Sequence, residues 1–402
     1  MDNNSILLLT KDAFCKAYLP CYGNTYYQGK TPNLDELVKK GTKFLNFFTA
    51  APSSAMSYLS MFTMKYPYQH EMKTYVPLLK PYDGRTLFDE AYDKGYDCHV
   101  VWDAAWVYLA QDYSKCYGEH TKIHNLKDFR QPVGSQYKHE GVLKRNVELE
   151  KDGFKILENE LKSIFKDGKK VFLWCHLPHV LKGRVSYGDD IDLYDKYVAL
   201  FRQYFKDENI FISADHGNMN GLKGKIGYGF DVYDTAVSIP LITPRIDNMV
   251  ECDKHVCNID IYDLIFNRKI VEREFIYSDS AYYAQPHRKL GVIWKNFRYI
   301  YNKKDRTEEL YDIEWDPNQN FNLIQDEIYD IDRKSTSPSR EYFFYPRWDE
   351  LPEIREKLRN EKDKIWREAK GTSKGLYAIY LSIRKMKAAR KILRPFVNTL
   401  RH

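Results

Sequence analysis

The sequence predicts an α/β protein in which helices flank a mostly parallel central sheet, followed by a smaller antiparallel subdomain and a helical tail. Short apolar runs such as SILLL (5–9), CHVVW (98–102) and KVFLWCHL (170–177) alternate with amphipathic segments through about residue 265. Strands and helices in alternation are typical of parallel sheets covered on both faces. With 402 residues, 43% of them hydrophobic, the chain can bury a core of this size.

The individual elements follow from local patterns. NLDELVKKGTKF (33–44) has leucines at helical spacing behind Asn33, a residue type that often caps helices. Segments 153–168 and 191–207 show the same amphipathic spacing, and we expect helices there. NIFISADHG (209–217) and VSIPLIT (237–243) are rich in β-branched residues, which favours strands.

The pattern changes near residue 271. REFIYSDSAYY, KLGVIWKNFRYIYNK and EELYDIEWDPNQNFNLI alternate apolar and polar residues between turns, which predicts short antiparallel strands. We therefore expect an α/β domain over 1–270, a small α+β subdomain over 271–329, and a linker with a basic helical tail over 330–402. Helical patterns recur in that tail at 350–369 and 374–394.

Composition indicates a reducing compartment. No run of about 18 apolar residues is present, and MDNNSILLLTKDAF lacks the basic start of a signal peptide, so it predicts a core strand. The seven cysteines are odd in number and form no CxxC pair, which favours free thiols over a disulfide framework. We expect a cytoplasmic protein.

Positive charge is concentrated at the C-terminal end. Residues 369–402 contain nine Lys or Arg and no acidic residue, which leaves 53 basic and 56 acidic residues elsewhere. Segment 374–394 has an apolar and a basic face, so it is suited to peripheral contact with the inner membrane face or to an acidic partner. A terminal helix packed on the body is the alternative. No nucleic-acid-binding module is recognisable, and no nucleic acid is expected.

Polar side chains cluster where three predicted strands end. These residues are Lys11 and Asp12, His176 and His179, and Asp215 and His216. Ligands bind at the carboxyl ends of strands in such sheets, and Asp with His can hold a divalent metal ion. Asp also favours turns, so a simple strand-to-loop transition is the alternative.

Four motifs in order resemble the sulfatase-like branch of the alkaline phosphatase superfamily. CYGN followed by TPNLDELVKKGTKFLNFFTAAP (21–52) is similar to its N-terminal signature, and ISADHGN (212–218) resembles its second metal motif. YDTAVSIPLIT (233–243) and EELYDIEWDPNQNFNLI (308–324) are similar to later segments. The resemblance implies an alkaline phosphatase/sulfatase-like fold.

The same resemblance selects one serine in TAAPSSAMSYLSMFTMKYP. Both flanks, TAAP (49–52) and TMKYP (63–67), place the nucleophilic cysteine of sulfatases at Ser54. The Pro and Arg that direct its oxidation to formylglycine fall on Met56 and Tyr58, so no formylglycine is expected. A serine suits transfer of a phosphoryl group, and Thr stands there in the related phosphoethanolamine transferases and lipoteichoic acid synthases.

The resemblance also implies a shell for one divalent ion of the zinc, manganese or calcium kind. Its residues would be Asp12, Ser54, Asp215 and His216. Lys11 stands where sulfatases have a second Asp, and it would either neutralise a phosphate oxygen or weaken metal binding by repulsion.

Further candidates carry weaker signals. His179 resembles the family histidine that contacts the ester, and His176 would line the substrate site or pack in the core. Lys225 and His287 are further candidates to contact substrate, although a solvated loop position explains Lys225 equally well.

The expected function is metal-dependent phosphoryl transfer or phosphoester hydrolysis through a covalent Ser54 intermediate. The substrate would be a phosphate ester on a glycan or on a lipid-linked cell-surface polysaccharide precursor. Two alternatives stay open: a sulfuric ester hydrolase, and a catalytically inactive binding protein with the same fold, which the presence of Lys11 suggests.

Overall fold

The computed structural model describes residues 4–70, 82, 84–103, 116–126, 141–177, 187–280, 288–324 and 345–368. Its strands are β1 (Ile6–Lys11), β2 (Thr42–Phe44), β3 (Phe47–Phe48), β4 (Asp97–Asp103), β5 (Lys122–Leu126), β6 (Val171–Leu177), β7 (Ile210–Ala214), β8 (Leu241–Thr243), β9 (Glu251–Cys252), β10 (Val256–Cys257), β11 (Ile276–Asp279), β12 (Lys289–Trp294), β13 (Phe297–Asn302) and β14 (Thr307–Asp312). Its helices are α1 (Pro32–Lys40), α2 (Ser54–Thr63), α3 (Pro67–His70), α4 (Leu87–Asp93), α5 (Gly141–Ile164), α6 (Tyr187–Phe201), α7 (Asp234–Val237) and α8 (Leu351–Glu368).

The central sheet has the order β5-β4-β6-β1-β7-β8-β2-β9 within the described part of the chain. The strands from β5 to β7 are parallel, whereas β8 runs antiparallel to both of its neighbours. β1 lies between β6 and β7, with Leu8 opposite Trp174 and Phe211, and all six of its residues are buried. Its uninterrupted apolar run is the pattern of a parallel strand covered on both faces. The predicted fold class is confirmed.

Two predicted boundaries differ from the structure. α1 is capped by Thr31, and Pro32 occupies its first position, where the missing N–H costs nothing. Asn33, the predicted cap, instead donates its backbone and side-chain N–H groups to Asp195 on α6. The predicted strand 237–243 is also too long, because residues up to Val237 close helix α7, Ser238 forms only an isolated bridge with Phe48, and the strand itself begins at Leu241.

The strands β11 to β14 form a separate antiparallel sheet, as predicted. One face, with Ile276, Ile293 and Ile300, packs on the α/β domain beside Phe48. The other face packs against α8, through a cluster that includes Val292, Tyr299, Leu310, Leu351, Ile354 and Leu358. The helix predicted at 350–369 therefore covers this sheet.

The basic segment 374–394 lies outside the described residues. Among the helices that are described, none combines the length and the apolar character needed to cross a bilayer.

A network of buried hydrogen bonds fixes the start of α2. Asn258, fully buried, accepts from the backbone N–H of Ala50 and donates to Thr49 and to both oxygens of Ser57. The Ser57 hydroxyl in turn donates to the carbonyl of Asp215, 2.6 Å away, at the end of β7. The N-terminal turn of α2 is thereby held against the carboxyl edge of the central sheet.

Replacing Asn258 should therefore destabilise the fold. We expect Asn258→Ala to lower the free energy of unfolding by about 2 to 4 kcal/mol, since several buried groups lose their partners at once. Urea denaturation followed by circular dichroism measures the change. Asn267→Ala is the matched control, because this exposed side chain bonds only to Asp263 among the contacts seen. Equal effects of the two substitutions would contradict the assigned role of Asn258.

Candidate active site

Three elements bring an acid pair, a histidine and a serine together at the carboxyl edge of the sheet. Asp12 follows β1, Asp215 and His216 follow the adjacent β7, and Ser54 is the first residue of α2. One ligand atom from each of Asp12, Asp215 and His216 lies within 4.8 Å of the others, and all three residues are buried. The parallel pairing of β1 and β7 thus creates the cluster.

The imidazole of His216 has a fixed orientation. Its Nδ1 lies 2.7 Å from the carbonyl oxygen of Gly217, which can only accept, so Nδ1 carries the proton. Nε2 is left with its lone pair directed at the cluster, 3.1 Å from Ser54 Oγ and 3.3 Å from Asp215 Oδ2. A backbone carbonyl that orients the opposite nitrogen is typical of histidines that bind metal ions.

The two carboxylates are incompletely satisfied. Asp215 Oδ1 accepts from the backbone N–H groups of Ala13 and His216. Asp12 Oδ1 and Asp215 Oδ2, in contrast, are buried and have no hydrogen-bond partner among the described residues. Buried carboxylate oxygens without donors are unfavourable unless a cation compensates them. Two oxygens and one imidazole nitrogen converging in this way fit a divalent metal ion.

Ser54 occupies a position that favours an anion. Ser53 is extended and caps α2 without a side-chain hydrogen bond, so Ser54 begins the helix. The N–H groups of the first helical turn have no partner within the helix and carry the positive end of its dipole. An anionic group at Ser54 Oγ would lie at this end.

His176 lies in a buried network beneath α2. The hydroxyl of Tyr58 is 2.5 Å from His176 Nδ1, Thr10 Oγ1 is 3.1 Å from the same atom, and the Trp174 indole N–H donates to Thr10. Burial, together with the nearby Asp215 carboxylate, raises the pKa of the Tyr58 phenol well above its usual range. Tyr58 therefore stays protonated, and His176 takes the packed position that the sequence left as an alternative to substrate contact.

Lys11 has a different partner from those expected. Its ammonium lies 2.8 Å from both carboxylate oxygens of Asp190 on α6, and both side chains are buried. Successive residues of a strand point to opposite faces, so Lys11 faces α6 while Thr10 faces Tyr58 on α2. The ammonium is thus paired with Asp190, and both roles suggested for Lys11, neutralising a phosphate oxygen or weakening metal binding, stay predictions.

The remaining predicted residues divide into two groups. Lys225 donates to Asp231, which also accepts from Lys289 of β12, so Lys225 joins a loop to the C-terminal sheet. His179 and His287 lie outside the described residues.

Sequence reasoning missed several residues that shape the site. They are Asn258, Asp190, Tyr58 as the partner of His176, and Tyr228, whose ring lies 4.3 Å from that of His216. Only Tyr58 carried a signal, because it occupies the Arg position of the family pattern. Asn258 and Asp190 come from distant parts of the chain, and Tyr228 lies in the loop after His216 but belongs to none of the motifs that resemble the family.

Metal binding is directly testable. We expect millimolar Zn²⁺, Mn²⁺ or Ca²⁺ to raise the Tm of the wild-type protein after treatment with a chelator, because an ion present at 100 times its Kd adds about 2.7 kcal/mol of stability. Asp215→Asn should abolish the shift. Asp192→Asn, at a partly exposed position on α6, should retain it. Scanning fluorimetry and elemental analysis report both results, and a Tm indifferent to every ion would contradict the site.

The assignment of Lys11 to the ion pair predicts a stability effect. Lys11→Met should lower the free energy of unfolding by about 3 to 5 kcal/mol, because it leaves the Asp190 carboxylate buried and unpaired. The double variant with Asp190→Leu should recover part of this loss. Lys39→Met, which removes an exposed pair with Glu36, should change stability far less, because solvent screens this pair. A stable Lys11→Met protein would contradict the assignment.

Comparisons with known proteins agree with this geometry. Residues 3–180 match the model of the family described as sulfatase. A comparison with curated proteins found no match. Similar solved structures include a 2-O GAG sulfatase, at 13% identity and a TM-score of 0.67, covering 92% of this chain and 94% of that one.

Two further structures share the fold. The phosphonate monoester hydrolase of Agrobacterium radiobacter is 13% identical, with a TM-score of 0.59 over 89% of this chain and 96% of that one. A protein solved with its substrate D-glucosamine-2-N,6-O-disulfate is 13% identical, with a TM-score of 0.51 over 92% and 100%. Residues 3–180 thus match the sulfatase family model, and the described residues share the fold of these sulfatase and phosphonate monoester hydrolase structures.

Proposed function

We propose that this protein is a metal-dependent enzyme that transfers a phosphoryl group from a phosphate ester to Ser54 and then to water or to an acceptor alcohol. One observation carries the proposal: Ser54 Oγ, at the start of α2, lies 3.1 Å from the nitrogen of His216 that faces the Asp12 and Asp215 carboxylates. A nucleophile placed beside a cation site and a helix N-terminus is suited to attack on an anionic ester.

The preference for phosphate over sulfate rests on the chemistry of position 54. An unmodified serine can attack phosphorus directly, whereas sulfatases use the hydrate of formylglycine to attack sulfur. The residues that would direct such an oxidation are replaced by Met56 and Tyr58, both buried. Tyr58 instead supports His176 through its hydroxyl group. These features favour a serine that keeps its hydroxyl group.

The proposed first step is a substitution at phosphorus. A bond forms between Ser54 Oγ and phosphorus while the bond from phosphorus to the ester oxygen breaks. Ser54 loses one proton, and the departing alcohol gains one. In the second step the oxygen of water or of an acceptor alcohol forms a bond with phosphorus, the bond from phosphorus to Ser54 Oγ breaks, and the proton lost by the attacking hydroxyl returns to Ser54 Oγ. A divalent ion held by Asp12, Asp215 and His216 would supply positive charge that favours loss of the serine proton and offsets charge on the phosphoryl group.

Each residue of the site has its own role in the proposed reaction. Ser54 is the nucleophile, and the N–H groups of the first turn of α2 stabilise negative charge on the transferred group. The Gly217 carbonyl holds the His216 tautomer. Asn258 and Ser57 keep Ser54 in register with Asp215. His179 remains the proposed acid for the departing alcohol.

We further propose a sugar-containing substrate, as part of a glycan or a lipid-linked precursor. Support comes from the neighbour that was solved with a sulfated glucosamine as its substrate. All seven cysteines are free thiols, which supports a reducing compartment such as the cytoplasm. Peripheral membrane contact through residues 374–394 belongs to the same proposal.

A sulfuric ester hydrolase is the second candidate, because the family model and a similar structure both carry that description. The free hydroxyl at position 54 argues against it. A catalytically inactive binding protein is favoured less, since Lys11 is neutralised by Asp190.

The nucleophile is tested by trapping. Purified protein with added Mn²⁺ or Zn²⁺ is incubated with an aryl phosphate, an aryl phosphodiester and an aryl sulfate. We expect turnover of a phosphate ester and an added phosphoryl group on Ser54 in mass spectra of the acid-quenched enzyme. Ser54→Ala should lower kcat by about a thousandfold or more.

Ser53→Ala is the matched control, since Ser53 is equally buried, adjacent, and makes no capping hydrogen bond. It should retain activity to within a few fold. Full activity in Ser54→Ala would remove the nucleophile assignment, and turnover of the sulfate ester alone would replace phosphate by sulfate.

A further inference from the structure

A glycine-rich loop lies beside the candidate metal cluster. It runs over residues 218–231, between the strand end that carries His216 and helix α7. Tyr228 stands between Gly227 and Gly229, whose φ angles of +98° and +89° are ones that residues with a Cβ rarely adopt. This backbone turns the Tyr228 ring onto the imidazole of His216, with 4.3 Å between ring centroids.

Internal hydrogen bonds hold the loop in this shape. Asn218, almost fully buried, accepts through Oδ1 from the backbone N–H groups of Asn220 and Gly227. The N–H of Met219 donates to the carbonyl of Gly227 at 2.9 Å, which closes the loop base. These hydrogen bonds therefore fix the backbone segment that carries Tyr228.

The outer edge of the same loop is apolar and exposed. Ile226 is 89% exposed and Phe230 is 55% exposed, on either side of the half-buried Tyr228. Exposed apolar side chains next to a polar, charged site mark a surface that receives a ligand. Lys225 on the same loop, held by Asp231, adds a hydrogen-bond donor to this edge.

We infer that Tyr228 binds the sugar ring that carries the ester group, and that it sets the preference of the enzyme for carbohydrate esters. The inference rests on the proposed function, because it assumes an ester at Ser54. Ser54 Oγ lies 3.1 Å from the imidazole of His216, so a substrate bound at Ser54 comes close to the ring that packs on this imidazole. Tyr228 covers the imidazole there. Its flat apolar face suits the C–H face of a pyranose.

The test compares two esters of the same acid. Glucosamine 6-phosphate and methyl phosphate present the same phosphoryl group with and without a sugar, and released inorganic phosphate is measured with Mn²⁺ present. Tyr228→Ala should lower kcat/KM for the sugar ester about tenfold, mainly through KM, since an aromatic contact of this kind supplies about 1.4 kcal/mol. Methyl phosphate turnover should change less than about twofold, and Tyr228→Phe should stay close to wild type.

Tyr92→Ala serves as the control for loss of a partly exposed tyrosine far from the loop, on α4, and should leave both esters unaffected. An equal loss for both esters in Tyr228→Ala would show that the ring only supports His216, and would overturn the inference. A wild-type protein that favours an alkyl phosphate with a long chain over the sugar ester would overturn it too.

A binding measurement separates this inference from the proposed reaction. Calorimetry with the Ser54→Ala protein measures the affinity for glucosamine 6-phosphate without turnover. Adding Tyr228→Ala to that background should weaken binding about tenfold if the tyrosine contacts the sugar. Unchanged affinity, or no binding by either protein, overturns the inference. If Tyr228→Ala does weaken binding but the trapping experiment finds no phosphoryl group on Ser54, only the chemistry proposed for Ser54 is rejected.

Discussion

Two buried carboxylates that face one imidazole impose the main constraint on this molecule. Asp12 and Asp215 each leave an oxygen without a donor among the described residues, at the ends of adjacent parallel strands. Unpaired charge in a core is costly, and the arrangement fits a cation that would join the two carboxylates. The orientation of His216, the anchoring of α2 through Ser57 and the position of Ser54 all follow from the need to build one compact ligand set around that charge.

The sequence was most informative where local pattern and chemistry coincide. Apolar strands ending in Asp12 and in Asp215–His216 predicted both the parallel sheet and the cluster, because strand ends converge in such sheets. Ser54 could be chosen over Ser53 only through the resemblance to a family, because no local pattern distinguishes two adjacent serines. The partner of Lys11 could not be foreseen: Asp190 is far away in the chain, and the side to which a terminal strand residue points depends on exact strand register. Distance along the chain hides Asn258 in the same way.

Residue 58 makes a different kind of interaction from the one that the family pattern implies. In the family pattern, an arginine follows the nucleophile by one helical turn, and this chain has Tyr58 there. The tyrosine is neutral, fully packed, and bonded to His176 and Thr10. The floor of the site is thus held by hydroxyl and imidazole groups among aromatic rings, including Trp174 and Phe62. Such a floor contributes shape and hydrogen bonds without adding a fixed positive charge beneath α2.

The buried pair of Lys11 and Asp190 has a consequence for which substitutions this chain tolerates. An aspartate introduced at position 11 by a single substitution would place its carboxylate on the side of the strand where Asp190 already lies, and two buried like charges would oppose each other. Replacing Asp190 first would leave the Lys11 ammonium buried without this partner. Either order of mutation passes through a less stable protein, so the ion pair opposes stepwise conversion to a site with two aspartates after β1.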